Sequence, residues 1–174
     1  FKKILSPTDF SDPSYESLKA AAELAGHFSA DLYVVHVIAP IPLSDFSSPE
    51  MAPALDISLY QEELKKGSEK TLQEVIEQKL AKGLSVHPLV VLGHPVEEIL
   101  RLAQDQKMDL IVIATHGRTG LPRFLFGSVA EKVVRLAPIP VLVVTTEHVK
   151  PVESTLSRRE FLGLASPAES GITG

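Results

Sequence analysis

The sequence predicts an α/β fold in which an open sheet of five parallel strands carries helices on both faces. Short runs of β-branched and aliphatic residues alternate with longer segments whose apolar residues recur at helical spacing. The resulting order is β-α-β-α-β-α-β-α-β, without an internal repeat. Because parallel strands joined through helices are covered on both faces, this alternation favours one domain with a buried sheet.

The predicted strands are short and strongly apolar, as expected where both faces of a sheet are buried. The first, KILS, ends in the turn-prone segment PTDFSDP, and the fourth, DLIVIAT, is almost continuously apolar. The strands are predicted at residues 3–6, 31–38, 85–93, 109–115 and 139–146.

The predicted helices show start signals and apolar faces. Asp12 followed by Pro13 indicates the first helix, because proline at the first helical position has no amide donor to lose. Pro95 opens the third helix, and the second and fourth are predicted at residues 57–82 and 128–137. The apolar residues at helical spacing are Leu18, Ala21, Ala22, Ala25 and Phe28, then Leu72, Val75, Ile76 and Leu80, then Val96, Ile99, Leu100 and Ala103.

Composition excludes several classes of protein. The chain has 174 residues, of which 44% are hydrophobic, enough for one domain with a real core. A net charge of −5 argues against a general nucleic-acid or acidic-membrane binder, and the absence of cysteine excludes disulfides and thiolate metal sites. No apolar stretch approaches the roughly 20 residues that span a bilayer, so we expect a cytoplasmic protein.

Two segments lie outside the periodic pattern. Residues 39–56 contain four prolines and several serines, which predicts a long loop. The tail, residues 147–174, has no strong periodicity, and we interpret it as flexible or as a docking segment.

Ligands of open parallel sheets bind beyond the carboxyl ends of the strands, near the point where strand order reverses. Three segments should reach this rim, namely SPTDFS, VIAP and THGRTGLPRFLFGS. The last is rich in glycine, and Gly117 allows positive φ and close approach of a ligand to the backbone. Gly127 and Ser128 lie where the fourth helix begins, so its amides and dipole could bind phosphate.

Alternatives remain open for the polar residues at this rim. Ser128 and Glu131 have the spacing of a capping box, which would satisfy helix amides without a ligand. Asp9 could either turn the chain into the first helix or accept hydrogen bonds from ribose hydroxyls. His36, in an apolar strand, is interpreted as a packed core histidine.

Signatures of common enzymes are missing from the sequence. The six histidines show no zinc-binding spacing, and neither a G-x-S-x-G nucleophile elbow nor a Walker A motif occurs. The HxGH and SGGxDS elements of related nucleotide-handling α/β enzymes are also missing. We therefore expect a binding module.

Taken together, these residues resemble the universal stress protein family over about residues 1–146. The resemblance rests on ILSPTDFSDPSYESL, VVHVI, VVLGHPVEEIL, DLIVIATHGRTGL, FGSVAEKVV and APIPVLVV. The nucleotide-binding branch of the family carries the motif G-x2-G-x9-G-S/T. Gly117, Gly127 and Ser128 match it, whereas Ala114 replaces the first glycine, a change that matters only if φ must be positive there.

The resemblance implies a Rossmann-like fold of the adenine nucleotide alpha hydrolase-like type, with ATP in the rim loops and Mg²⁺ bridging its phosphates. It also implies a homodimer formed through the last strand. Pro7, Thr8 and Asp9 would flank adenine and ribose, Val37 would contact adenine through its backbone, and Ala114, Thr115, Gly117, Gly127, Ser128 and Val129 would surround the phosphates.

Two functions follow from this resemblance. The first is a nucleotide-responsive dimeric stress or regulatory module, with at most slow ATP hydrolysis. The alternative is a dimeric stress protein that binds no nucleotide and acts as an interaction scaffold, which the alanine at position 114 favours.

Overall fold

The computed structural model describes residues 1–40, 57–115 and 127–145. These residues form five strands and four helices. They are β1 (Lys3–Pro7), α1 (Asp12–Phe28), β2 (Asp31–Ile38), α2 (Ile57–Lys79), β3 (Val86–Leu92), α3 (Pro95–Asp105), β4 (Leu110–Ala114), α4 (Ser128–Leu136) and β5 (Val141–Val144). All strand pairs are parallel, in the order β3-β2-β1-β4-β5. The predicted fold class is confirmed.

The chain outside these ranges includes the predicted loop 39–56 beyond residue 40 and residues 116–126 of the glycine-rich segment. The tail 147–174 also lies outside the described residues. Within the described part of the chain, no helix combines the length and apolar character needed to traverse a bilayer.

The core consists of two layers, one on each face of the sheet. Side chains alternate between the faces along each strand. Ile4, Val34 and Val112 therefore pack against α1 and α2, on one face. Leu5 and Ile113, one position out of phase, pack against α3 and α4 on the other.

Two helical faces differ in detail from the predicted ones. Phe28, at the end of α1, is 42% exposed and contacts Phe1 edge-on instead of entering the core. In α3 the buried residues are Ile99, Leu102 and Ala103, so Leu102 takes the inward place expected for Leu100. Spacings of three and four residues place these three side chains on one helical stripe.

The start of α1 also differs from the prediction. Ser11 is the N-cap, and its side chain accepts a hydrogen bond from the amide of Ser14 at 3.4 Å. Asp12 and Pro13 consequently occupy the first turn of the helix. The proline still costs no hydrogen bond there, because amides of the first turn lack helical partners.

The crossover from β3 to β4 creates the switch point of the sheet. From β1 to β3 the strands are added in one direction, and α3 then carries the chain back across β1 to β4 on its other side. Connections leaving β1 and β4 diverge to opposite faces, which opens a crevice between their carboxyl ends.

The opposite end of the sheet is fastened by Asp109, which precedes β4. Its Oδ2 accepts hydrogen bonds from the backbone amides of Lys2 at 2.7 Å and Lys3 at 2.9 Å. These two amides hold the pKa of the Asp109 carboxyl below its ordinary value of 3.8. The interaction joins the start of β4 to the start of the central strand.

Asp109→Asn should lower the free energy of unfolding at neutral pH by about 1 kcal/mol, because a charged acceptor of two amides is lost. Since the pKa is depressed in the folded state, the stabilisation is present above pH 3.8 and is lost as the pH falls through the folded pKa. Urea unfolding at pH 7 and pH 3 measures both effects. Equal losses at the two pH values would contradict this role.

Candidate functional site

A cleft of about 290 Å³ lies at the carboxyl ends of the central strands, at the switch point. This volume is close to the lower limit of the range for small-molecule sites, roughly 300–1,000 Å³. Nine of the residues selected from the sequence line it: Pro7, Thr8, Asp9, Val37, Ala114, Thr115, Gly127, Ser128 and Val129. The tenth, Gly117, lies outside the described residues.

Six further residues line the cleft and were missed by the sequence reasoning, namely Ser14, Val35, Pro95, Ile99, Ile113 and Ala130. Val35 and Ile113 lie two positions from Val37 and Thr115, so strand alternation could have identified them. Ser14 and Ile99 reach the cleft through helix packing, for which the local sequence carries no signal.

Thr8 anchors the turn that leaves β1. Its amide donates to the carbonyl of Val35 at 2.8 Å, which extends the β1–β2 pairing. Ser14 donates its hydroxyl hydrogen to the carbonyl of Ser11 at 2.8 Å. Thr8 Oγ1 must therefore be the donor in its 2.9 Å contact with Ser14 Oγ, and it accepts from the amide of Phe10 at 3.1 Å. The buried hydroxyls of Thr8 and Ser14 are thus both oriented.

Asp9 has the turn-forming role that was one of its two alternatives. Its Oδ1 accepts from the amide of Ser11 at 3.1 Å and from the Ser11 hydroxyl at 2.5 Å. A carboxylate offers acceptor sites on two oxygens, so this role is compatible with accepting hydrogen bonds from a ligand as well. Asp9 is also the single ionisable side chain among the described residues of the lining.

His36 differs from the packed core histidine expected from the sequence. Its ring is half-buried and stacks on Phe10, with a centroid distance of 4.2 Å and an angle of 28°. Its Nδ1 lies 2.9 Å from the carbonyl oxygen of Thr8. The carbonyl can only accept, so Nδ1 carries the hydrogen and donates it.

The amino end of α4 opens into the cleft. Gly127 is the N-cap, with φ −69° and ψ 154°, and it makes no side-chain capping hydrogen bond. Ser128 is therefore the first residue of the helix, and the predicted capping box with Glu131 is wrong. The amide of Glu131 instead donates to the carbonyl of Gly127 at 3.0 Å, as in an ordinary helical turn.

This helix end is suited to an anion. The residues of the first turn, Ser128, Val129 and Ala130, all line the cleft. Amides in a first turn have no helical acceptors, and the helix dipole adds partial positive charge at this point. The described part of the lining contains no lysine or arginine, so the positive potential here comes from the backbone.

Ala114 can occupy the position of the missing motif glycine without backbone strain. It is the last residue of β4 and pairs in register with Val144. The non-glycine residues with positive φ in the described chain are Phe10, Ser29 and Lys107, so Ala114 is not among them. Alanine would be unfavourable at this position only if φ were positive, and it is not.

Known proteins resemble this chain both in sequence and in structure. The sequence profile of the Universal stress protein family matches residues 1–145. The chain belongs to the universal stress protein family.

Individual relatives cover most of the chain. Universal stress protein MJ0531 of Methanocaldococcus jannaschii is 38% identical over 144 residues, which are 83% of this chain and 82% of the relative. The solved structure of MJ0577, from the same organism, has a TM-score of 0.71 at 29% identity and covers 84% of this chain and 97% of its own. A universal stress protein solved in complex with cAMP has a TM-score of 0.60 at 25% identity, and the match covers 84% of this chain and 98% of that protein.

Proposed function

We propose that this universal stress protein binds ATP, accompanied by Mg²⁺, in the cleft at the carboxyl end of the sheet. We propose further that nucleotide binding regulates a homodimer that acts in a stress response. One observation carries the proposal: the amino end of α4, which has no side-chain cap, opens into the cleft across from the Asp9 turn. The protein would act as a binding module.

The apolar part of the cleft suits an adenine ring. Val35, Val37 and Ile99 provide walls without charge, which favour a flat heteroaromatic base over bulk water. Pro7 and Thr8 lie at the end of the adjacent central strand. Asp9 would accept hydrogen bonds from the ribose hydroxyls, as acidic residues near strand ends of dinucleotide-binding folds do.

The phosphates would bind to the amides that begin α4, with the hydroxyls of Thr115 and Ser128 as further polar groups of the lining. Gly117, outside the described residues, is proposed to complete this part of the site. The described residues contain no group of three or more His, Cys, Asp or Glu that could hold a metal ion. Mg²⁺ would therefore depend on phosphate oxygens for coordination, as is usual for this ion.

The relative solved in complex with cAMP supports the class of ligand, since an adenine nucleotide binds to a protein of the same family. The conformation of Ala114 supports the proposal in a second way, because the altered motif imposes no backbone strain. A scaffold that binds no nucleotide is the alternative that the first experiment below tests.

A homodimer would form through β5, one of the two edges of the sheet. The other edge, β3, carries Pro88, which has no amide hydrogen to donate to an additional strand. In β5 the carbonyls of Pro140 and Val144 accept bonds from β4. Because backbone groups alternate sides along a strand, the amides of Val141 and Val143 point away from β4, where a second copy could pair.

Purified protein should bind MgATP in a calorimetric titration, and Gly127→Val should weaken this binding by at least tenfold. The backbone of Gly127 is allowed for valine, so the added side chain should obstruct the phosphate region without unfolding the protein. Mass spectrometry of small molecules released on denaturation would show whether a nucleotide copurifies.

Gly67→Val is the matched control, because a Cβ at Gly67 meets no atom within 4 Å. It should bind ATP like the wild type. A wild-type protein that releases no nucleotide and shows no heat with millimolar MgATP would overturn the proposal and favour the scaffold. Unchanged affinity in Gly127→Val would remove the start of α4 from the site.

Val143→Pro should convert the proposed dimer to a monomer, because proline removes an outward-facing amide while the bonds between β4 and β5 remain. Val143→Thr keeps the amide and should remain dimeric. Light scattering coupled to size-exclusion chromatography measures both masses. A wild-type monomer, or a proline variant that stays dimeric, would argue against pairing through β5.

A further inference from the structure

His36 binds the turn that forms one wall of the cleft, although it does not line the cleft itself. Its Nδ1 donates to the carbonyl of Thr8 at 2.9 Å, and its ring stacks on Phe10 at 4.2 Å. Asp9 lies between the two residues that His36 contacts. One side chain on β2 therefore holds the turn on both sides of the carboxylate.

The conformation of this turn requires support from its surroundings. Phe10 has φ +64°, in the left-handed region that a bulky residue rarely adopts. Such a conformation persists only where neighbouring contacts determine it. The contacts of Phe10 include the bond from its amide to Thr8 Oγ1 and the stacking on His36. The hydrogen bond lies within the turn itself, whereas the stacking partner, His36, lies on β2.

We propose that His36 is a positioning residue of the nucleotide site: by holding the Thr8–Phe10 turn, it aims the Asp9 carboxylate at the ribose. This inference rests on the nucleotide site proposed above and adds a residue that acts through Asp9 without touching the ligand. If His36 had a purely structural role, its substitution would lower the stability of the protein but would not change nucleotide affinity through Asp9.

Two substitutions separate the stacking of His36 on Phe10 from its hydrogen bond to Thr8. His36→Phe keeps a ring that can stack on Phe10 but loses the donor to Thr8. His36→Asn places an amide nitrogen near the former position of Nδ1, so it keeps a donor but loses the ring. Calorimetry with MgATP and urea unfolding are measured for both variants and for the wild type.

His36→Phe should raise the Kd for MgATP about tenfold, the change expected when one partly buried hydrogen bond that holds the Asp9 turn is lost. His36→Asn should recover part of this loss, with a Kd between those of the wild type and His36→Phe, because the donor to Thr8 persists while the stacking on Phe10 is lost. If His36→Phe fails to fold, His36→Leu replaces it as the variant without a donor and carries the same expectation.

A double-mutant cycle tests whether His36 acts through Asp9. Asp9→Asn should weaken binding by itself, and adding His36→Phe should then weaken it little further, because the carboxylate that His36 aims is already lost. His87→Phe is the matched control. His87 also stacks on an aromatic ring, that of Tyr33, but its hydrogen-bond partners are Ser85 and Asp31, which lie outside the Thr8–Phe10 turn. Its Kd should not change.

The outcomes distinguish the two proposals. If the wild type does not bind MgATP, the nucleotide site and the role of His36 both fail. If the wild type binds but His36→Phe binds equally well, only the role of His36 fails. Additive effects of the His36 and Asp9 substitutions, or an asparagine variant as weak as the phenylalanine variant, would also overturn it.

Discussion

The placement of β1 between β2 and β4 is the constraint on which the remaining structure depends. β1 is buried on both faces, so its side chains alternate between the α1–α2 layer and the α3–α4 layer. Because the chain reaches β4 only after crossing back over β1, the connections at their carboxyl ends separate. The cleft exists because of this separation. Its polar residues come from the turn and helix that follow β1, from Thr115 at the end of β4 and from the start of α4.

Recognition in the described part of the cleft depends on backbone groups more than on charged side chains. Asp9 is the one ionisable residue of that lining, and it is already engaged in shaping its own turn. The start of α4 presents amides to the cleft because Gly127, the N-cap, has no side chain with which to satisfy them. A glycine at this position leaves the helix end available to a ligand, whereas serine, threonine or aspartate would compete for the same amides.

Much of the site could be predicted because it lies at ends of elements that carry strong local signals. Pro7 ends the apolar strand β1, Thr8 and Asp9 directly follow it, and parallel topology brings such strand ends to one rim. The predictions were wrong where the N-cap of a helix had to be assigned to one of two neighbouring residues. Ser11 rather than Asp12 caps α1, and Gly127 rather than Ser128 caps α4. Neighbouring polar residues offer nearly equivalent caps, so local sequence distinguishes them poorly.

By itself, the sequence determined the fold class, the rim where the cleft lies and the family resemblance, because hydrophobic periodicity and motif spacing are local properties. Only the tertiary structure decided which groups meet across that rim. His36 is separated from Thr8 by 28 positions, and their hydrogen bond exists because β2 pairs with β1 in one register. The backbone of Ala114 likewise avoids a positive φ because this residue pairs with β5, and strand pairing favours an extended conformation.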